Sequence, residues 1–436
     1  MSKVPNMVGR LEKAMYGTRD APALWQAEVR SQMEALGFEV SPAYPCVYFH
    51  RKKNVRIVAH VDDFLCLGPR AGLEWVYSQL QREFELTREI LGDAVDELRE
   101  AHFLGRTLRW TARGIEWEGD SKHSQILIEE WGSPGMRAVV SPVTKEDLRR
   151  PNGEELSNEE SRRYRRAAAR LNYMSLDRAD LGFAAKEASR CMSKPCRGDL
   201  VRIRRAVQYL IGCPRAVNLF SWQNPPERLE VLVDSDWAGC DRTRRSTSGG
   251  VMMRGSHCLQ TWSRTQATVA LSSGEAELNA SIKGMVEGHG VRTLCKFLGL
   301  DYELVIKGDS VACRGTLNRD GVGKQKHLET RQLWAQEQVQ RHNLSYVKIP
   351  REINSSDCLT HPWTPREAYH FLEMGLLRIS AGRQENEPAE ACFELRQVHK
   401  QEMIGLQCSL APSSGRCSTE GGCLQSYHRH PARIVQ

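Results

Sequence analysis

The stretch from Leu229 to Ala280 constrains this chain most. It reads LEVLVDSDWAGC, then RRSTSGGVMM, CLQTWS and TVALSSGEAELNA. The first run alternates, with Leu232, Asp234 and Asp236 on one face and Val231 and Val233 on the other, which predicts a strand that ends in carboxylates. Two further strands are predicted near Gly250–Arg254 and Cys258–Ser263. A Ser-Ser segment then opens a helix that carries Glu275 and Glu277. Downstream, Leu304–Lys307 predicts a short strand ending at Asp309, followed by a helix through Ala312 and Leu317. A longer helix is expected over Leu328–His342, a last strand over Leu344–Ile349, and a last helix that begins with Asn354 to Leu359 and carries Asp357. The order β-β-β-α-β-α-α-β-α defines a mixed α/β layer fold.

Asp234, Glu277, Asp309 and Asp357 thus come from four separate elements and are candidates to converge on one edge of a sheet. Hard oxygen donors suit Mg2+, which keeps some waters and takes further ligands from a substrate phosphate. Two such ions together suit in-line phosphodiester hydrolysis. Taken singly, each acid is more often a cap or surface group, and only the set points to a site.

Upstream, residues 7–38 predict a loop and then a helix, with Leu24, Val29, Met33 and Leu36 at helical spacing. The runs CVYFHRK and VRIVAHVDDFLCLG predict a hairpin turning at Lys53 and Asn54. Asp62 and Asp63 lie between apolar residues of the second run. They fit either a cation-binding hairpin tip or a plain Asp-Asp turn. An amphipathic helix is expected over residues 71–86, a strand pair over His102–Trp110 and Gly114–Trp117, and a helix over Ser124–Trp131. Residues 141–160 are polar and predict a linker or long loop, and residues 161–213 predict helices.

Charge bears on partners through its distribution. The formal net charge is only +7, yet fourteen Lys and Arg against five Asp and Glu fall between Glu160 and Arg215. Such clustering suits a polyanion, and Arg162, Arg163, Arg166, Arg202 and Arg205 are the candidate phosphate contacts. The N-terminus has no apolar signal-peptide core, and no apolar run approaches the ~20 residues of a membrane span. An intracellular chain (cytoplasmic or nuclear) that engages no membrane, with free thiols, is the expectation. Cys408, Cys417, Cys423, His428 and His430 match no tight zinc framework, and the tail from about Arg383 reads as disordered after one helix over Arg366–Leu376.

The segments VDSDWAGCDRTRRSTSGG, TWSRTQATVALSSGEAELNA, IKGDSVA and YVKIPREINSSDCLT resemble the ribonuclease H domain of copia-type retrotransposon Pol polyproteins. LEKAMYGTRDAPALW, LGFEVSPAYPCVYF, IVAHVDDFLCLG, HFLGRTLRW and YRRAAARLNYMSLDRADLGFAAKEASRCMSKP resemble the same family's reverse transcriptase palm and thumb, in the family's order. The resemblance spans about residues 7–365. It implies a truncated α+β palm over residues 1–140, a linker and helical thumb over 141–225, a ribonuclease H-like mixed five-stranded sheet with helices over 226–365, and a short helix and tail over 366–436.

The implied nuclease acids and metal ligands are Asp234, Glu277, Asp309 and Asp357, with Asp236 as the alternative first acid and Glu275 secondary. His327, in KQKHLETR, falls near the implied hybrid without a catalytic role. Asp62 and Asp63 match the paired polymerase aspartates. Three departures stand out: His60 replaces the usual Tyr, Asp20 replaces the usual Gln, and the strand bearing the first polymerase Asp is expected to precede Met1.

The implied activity is hydrolysis of RNA in RNA–DNA hybrids with Mg2+ or Mn2+. The implied partners are RNA–DNA hybrid, DNA and RNA, together with the missing N-terminal polymerase portion, and no DNA synthesis is expected from this chain alone. A non-catalytic nucleic-acid-binding relic and a reverse transcriptase completed by another chain remain the alternatives.

Overall fold

Alternation in the strands and three-to-four spacing in the helices settle most of the architecture seen in the computed structural model, which describes residues 17–149, 153–323, 326–364, 367, 370, 377–380 and 411–412. The described chain divides at Leu104 and Gly105 into two units.

The first unit holds α1 (Ala21–Ala35), β1 (Glu39–Val40), β2 (Val47–His50), β3 (Val55–His60), β4 (Asp63–Leu67), α2 (Arg70–Leu80), β5 (Phe84–Glu85) and β6 (Glu100–Phe103). Strands β1 to β4 form an antiparallel sheet in chain order. Val55 and Ile57 are buried while Arg56 between them is not. Leu73, Val76 and Leu80 of α2 pack with them, together with Val29 and Met33 of α1. The hairpin expected at Lys53 and Asn54 is present as β2 and β3, and the second expected run is itself folded into a further hairpin, β3 and β4. His60 pairs with Asp63, which leaves Val61 and Asp62 as the two-residue turn that leads into β4. Val61 has φ 52°. That is a strained conformation for a β-branched residue. The Trp25 indole N–H donates to the Val61 carbonyl at 2.7 Å and holds the tip.

The second unit begins with β7 (Arg106–Thr111) and β8 (Gly114–Gly119). The helices α3 (Lys122–Trp131), α4 (Lys145–Leu148), α5 (Asn158–Met174), α6 (Gly182–Ser189) and α7 (Leu200–Gly212) follow, and then β9 (Arg215–Ser221). Strand β8 pairs antiparallel with both β7 and β9. The helices bury Leu127, Tyr164, Leu171, Leu181, Ile203 and Leu210 in one core. The segment expected as a linker is partly structured. Thr144 and Asp147 cap the short α4, and Val143 and Leu156 are buried. Ser157 and Glu160 then start α5 with a reciprocal capping box.

The remaining elements are β10 (Arg228–Ser235), β11 (Thr247–Arg254), β12 (His257–Thr265), α8 (Ser273–Phe297), β13 (Glu303–Gly308), α9 (Val311–Leu317), α10 (Thr330–Gln340) and β14 (Ser345–Lys348). They build the expected mixed five-stranded sheet, in the order β12-β11-β10-β13-β14. Strands β10, β11 and β12 run antiparallel, whereas β13 runs parallel to both β10 and β14. Helix α8 covers one face, over Leu229, Val231 and Val233. A Cβ on Gly284 would sit 2.5 Å from Val233 Cγ1, and one on Gly288 2.7 Å from Leu304 Cδ1. Glycine at both positions therefore lets the helix backbone lie against the sheet. The opposite face, with Leu232 and Val251, packs against Ile349, Leu359 and Trp363.

The last expected helix is instead two single 3-10 turns, Arg351–Ile353 and Asp357–Leu359. Side chains take over the backbone's partners here. Asn354 Oδ1 accepts from both the backbone N–H and the hydroxyl of Ser356, at 3.4 and 2.6 Å. Such local bonds compete with helix formation. The helix expected over 366–376 lies outside the described residues apart from Glu367 and His370, as do the C-terminal Cys and His candidates. No helix among the described residues is long and apolar enough to cross a membrane.

Candidate active site

Parallel pairing of β10 with β13 brings the C-terminal ends of both strands to the same sheet edge, which is where open α/β sheets hold their ligands. Asp234 lies at the end of β10, opposite Gly249 of β11. Asp309 directly follows β13. Glu277 projects from the first turns of α8, and its Oε1 accepts the Ser235 backbone N–H at 3.3 Å. One carboxylate oxygen from each of Asp234, Glu277 and Asp309 lies within 4.8 Å of the others.

The loop after β14 closes on this trio. Asn354 donates to the Val233 carbonyl at 3.0 Å and pins the loop to β10. The Thr360 hydroxyl donates to Asp234 Oδ2 at 2.6 Å. Gly249 makes the approach possible, because a Cβ there would sit 2.7 Å from both the Ser356 carbonyl oxygen and Thr360 Cγ2. Asp357 stands beside the trio but clusters with His361 and Glu367. Its Oδ1 accepts from Arg351, and its Oδ2 lies 3.0 Å from His361 Nε2.

The electrostatics divide the four acids. Burial, reinforced by neighbouring carboxylates, raises Asp234 and Glu277 well above the ordinary carboxylate range. Asp357 is half-buried, yet hydrogen bonding and charge from His361 and Arg351 outweigh its partial burial and hold it low. His361 is pushed up to about 9 by its hydrogen bond to Asp357, against its own burial. The nearby cations Arg351 and His361 are thus committed to Asp357. Three crowded hard-oxygen donors, two of them with raised proton affinity, fit a divalent cation, which would supply the positive charge the trio lacks.

Asp236 faces elsewhere. Its carboxylate accepts the Thr247 N–H, and it feels the charge of Lys186. Glu275 is buried, accepts the Leu271 N–H at 2.8 Å and lies 2.9 Å from His327 Nε2. Asp62 and Asp63 sit at the β3–β4 turn of the first unit. Among the described residues, no third His, Cys, Asp or Glu joins them in a cation-sized group.

Arg162 and Arg166 are exposed on α5. Arg163 lies over the Trp131 ring at 4.4 Å and donates to the Glu130 carbonyl. Arg205 donates to the Ser141 carbonyl at 3.1 Å. Arg202 corrects the expectation of a phosphate contact. It is only 6 % exposed. Its guanidinium is spent on Asp199 at 2.5 Å and on the Leu148 carbonyl at 3.1 Å.

No family model matches this chain. The Pol polyprotein from transposon RE1 of Arabidopsis thaliana is 27% identical over 384 residues, 86% of this chain and 25% of that protein. The Pol polyprotein from transposon TNT 1-94 of Nicotiana tabacum is 26% identical over 81% of this chain and 27% of its own length. An uncharacterized mitochondrial protein of Arabidopsis thaliana is 32% identical over 226 residues, 51% of this chain and 89% of that protein.

Its relatives at 26–27% identity over 81–86% of the chain are retrovirus-related Pol polyproteins of copia-type transposons.

The chain spans about a quarter of the length of the Pol polyproteins it matches. Among solved structures, a ribonuclease H1 isolated from compost shares 19% identity at a TM-score of 0.24, over 31% of this chain and 93% of that one. The foamy viral protease-reverse transcriptase in complex with an RNA/DNA hybrid shares 11% identity at a TM-score of 0.42, over 92% of this chain and 47% of that one.

At this site, sequence reasoning missed Arg351, Thr360 and His361. A signal was available, because Thr360 and His361 lie three and four residues after Asp357, where a helical turn brings side chains onto one face.

Proposed function

We propose that this Pol segment is a ribonuclease H, hydrolysing the RNA strand of RNA–DNA hybrids with a divalent cation. The observation that carries the reading is the approach of Asp234, Glu277 and Asp309 to within 4.8 Å at one sheet edge. These three would hold Mg2+ or Mn2+, with Asp357 as a fourth acid beside them, and such an ion supplies Lewis acidity and an activated water for phosphodiester hydrolysis.

The protein's own groups prepare that seat. The Thr360 hydroxyl orients Asp234, and the Ser235 N–H orients Glu277. Because burial and mutual repulsion raise both carboxyls, cation uptake displaces protons from them. Choosing the RNA strand requires sensing 2′-hydroxyls and the shape of the hybrid groove. The exposed Arg162 and Arg166 are the candidate backbone contacts, which makes binding salt-dependent. Asp62 and Asp63 of the first unit are read as the polymerase pair of a palm.

The test uses purified chain, a labelled RNA–DNA hybrid and Mg2+. Native chain is expected to cut the RNA strand. Asp309→Ala is expected to abolish cutting while leaving hybrid binding within about threefold, since one acid at the cation seat adds no attraction to phosphates. Hybrid bound by native chain without cutting would refute the nuclease reading, and simultaneous loss of binding and cutting in Asp309→Ala would mark Asp309 as structural.

A further inference from the structure

The four acids are not equally available to a cation. Both oxygens of Asp357 are already engaged. Oδ1 accepts from Arg351 Nε at 3.1 Å and Nη2 at 2.9 Å, and Oδ2 faces His361 Nε2 at 3.0 Å. A planar guanidinium that offers two N–H groups to one carboxylate is a strong, charge-assisted partner. Among the described residues, Asp234, Glu277 and Asp309 form a cation-sized group of their own, apart from that pairing.

The two partners of Asp357 differ in freedom. The His361 side chain is 25 % exposed. Its Nδ1 is also tied to the Pro362 carbonyl at 2.9 Å. The Arg351 side chain is 64 % exposed, on a 3-10 turn at the surface. The backbone between Arg351 and Asp357 is anchored by Asn354, which is 2 % exposed and bonded to β10. Release of Asp357 Oδ1 therefore needs only a swing of the Arg351 side chain, with the loop left in place and Oδ2 still held by His361.

We propose that Arg351 is a latch on the fourth acid: with Arg351 closed, the site seats one divalent cation on Asp234, Glu277 and Asp309, and Asp357 joins as ligand to a second cation only when Arg351 leaves. This rests on the nuclease reading of the trio. It also gives the freed guanidinium a destination. Arg351 pairs best with planar or tetrahedral oxyanions, and a substrate phosphate arriving with the second cation is one. The exchange moves one ion pair, Arg351 with Asp357, into two, Arg351 with phosphate and Asp357 with the cation.

Mn2+ binding to the metal-free full chain, followed by electron paramagnetic resonance and titration calorimetry without nucleic acid, tests the latch. Native chain is expected to bind one Mn2+ tightly and a second at least tenfold more weakly. Arg351→Gln is expected to tighten the second site about tenfold and leave the first unchanged. Adding Asp357→Asn to that variant is expected to abolish the gain. Arg351→Lys, which keeps charge but loses the two-pronged contact, is expected to fall between. Equal affinity for two ions in native chain, or a second site indifferent to Arg351→Gln, overturns the latch and leaves the trio standing. Tight binding that survives Asp309→Asn overturns the trio as the seat, and the latch with it. Circular dichroism of each variant, expected to match native chain because Arg351 is largely exposed, separates loss of fold from loss of binding.

Discussion

Asp234 and Glu277 place a stability cost inside the sheet edge that depends on protons. Their folded-state proton affinities lie above the unfolded values, through burial and then the neighbouring acids. Below the ordinary carboxylate range both states are protonated and the cost is absent. As pH rises past that range, the unfolded chain ionises first and stability falls, until the folded groups ionise as well. The metal-free chain should therefore lose more stability between pH 5 and pH 8 than the Glu277→Gln variant. The difference should be at least ~1 kcal/mol, since a tenfold change in proton affinity corresponds to ~1.4 kcal/mol. Urea midpoints at the two pH values measure it, and equal slopes for the two proteins would contradict it. Mg2+ should act in the opposite sense, its apparent affinity rising with pH as protons leave the seat. Thr360 belongs to the same scale. Thr360→Val removes the hydroxyl that orients Asp234 and should weaken the first cation about tenfold, the lower end for a group that supports a metal ligand. Calorimetric titration with Mn2+ reads that loss directly.

At the scale of elements, the site depends on how closely a loop can approach a strand. Gly249 supplies the space. Gly249→Ala sets a methyl 2.7 Å from the Ser356 carbonyl and Thr360 Cγ2, and neither has room to retreat while Asn354 holds the loop. We expect a loss of about 1–3 kcal/mol, as for other overpacked interiors. Cation affinity should fall with it, because Thr360 is pushed off Asp234; urea unfolding and Mn2+ titration on one sample test the pair of effects. An unchanged affinity would detach the loop from the site.

The same elements show what the sequence made legible. Val231, Leu232, Val233 and Asp234 announce their two faces because strand sterics impose a period of two. The helix over Lys122–Trp131 and those within 158–212 follow equally from apolar spacing. The turns at 351–359 do not, because Asn354 and Ser356 bond locally and to a strand more than a hundred residues away. Arg202 was misjudged for a related reason. Counting charge on a helix face cannot reveal that Asp199 turns one guanidinium inward. Asp234, Glu277 and Asp309 could be named from the sequence, but their separation from the Arg351–Asp357–His361 group arises only once β14 delivers its loop to the sheet edge.

Across the whole second unit, the helices before residue 226 support the five-stranded sheet. Ala179 packs in the same cluster as Leu232, Val251 and Leu359. Gly182, at the start of α6, lets that helix approach Leu359, since a Cβ there would lie 3.1 Å from Leu359 Cδ2. Further along α6, the buried Lys186 donates to the Thr247 hydroxyl at 2.8 Å and pairs with Glu187 at 2.5 Å, while Arg190 pairs with Glu187 and reaches Cys240 Sγ. Thr247 in turn donates its N–H to Asp236, two residues past Asp234. Removing one partner from a buried ionic group strands the others, at a typical cost of about 3–5 kcal/mol. Glu187→Ala should therefore destabilise the second unit by about 3 kcal/mol in urea unfolding, far more than any surface ion pair would. Replacing Lys186 and Glu187 together by Met should recover part of that loss, because no charge of that pair is then left unpaired. The same contacts argue against cutting the chain at residue 226. A fragment of residues 226–365 keeps every acid of the site but loses the cover over Leu359 and the partner of Thr247. It should bind Mn2+ at least about tenfold more weakly than a fragment of residues 105–380, through the loop that carries Thr360 and Asp357. Equal affinity in the two fragments would make the helices a neighbour of the site and not its support.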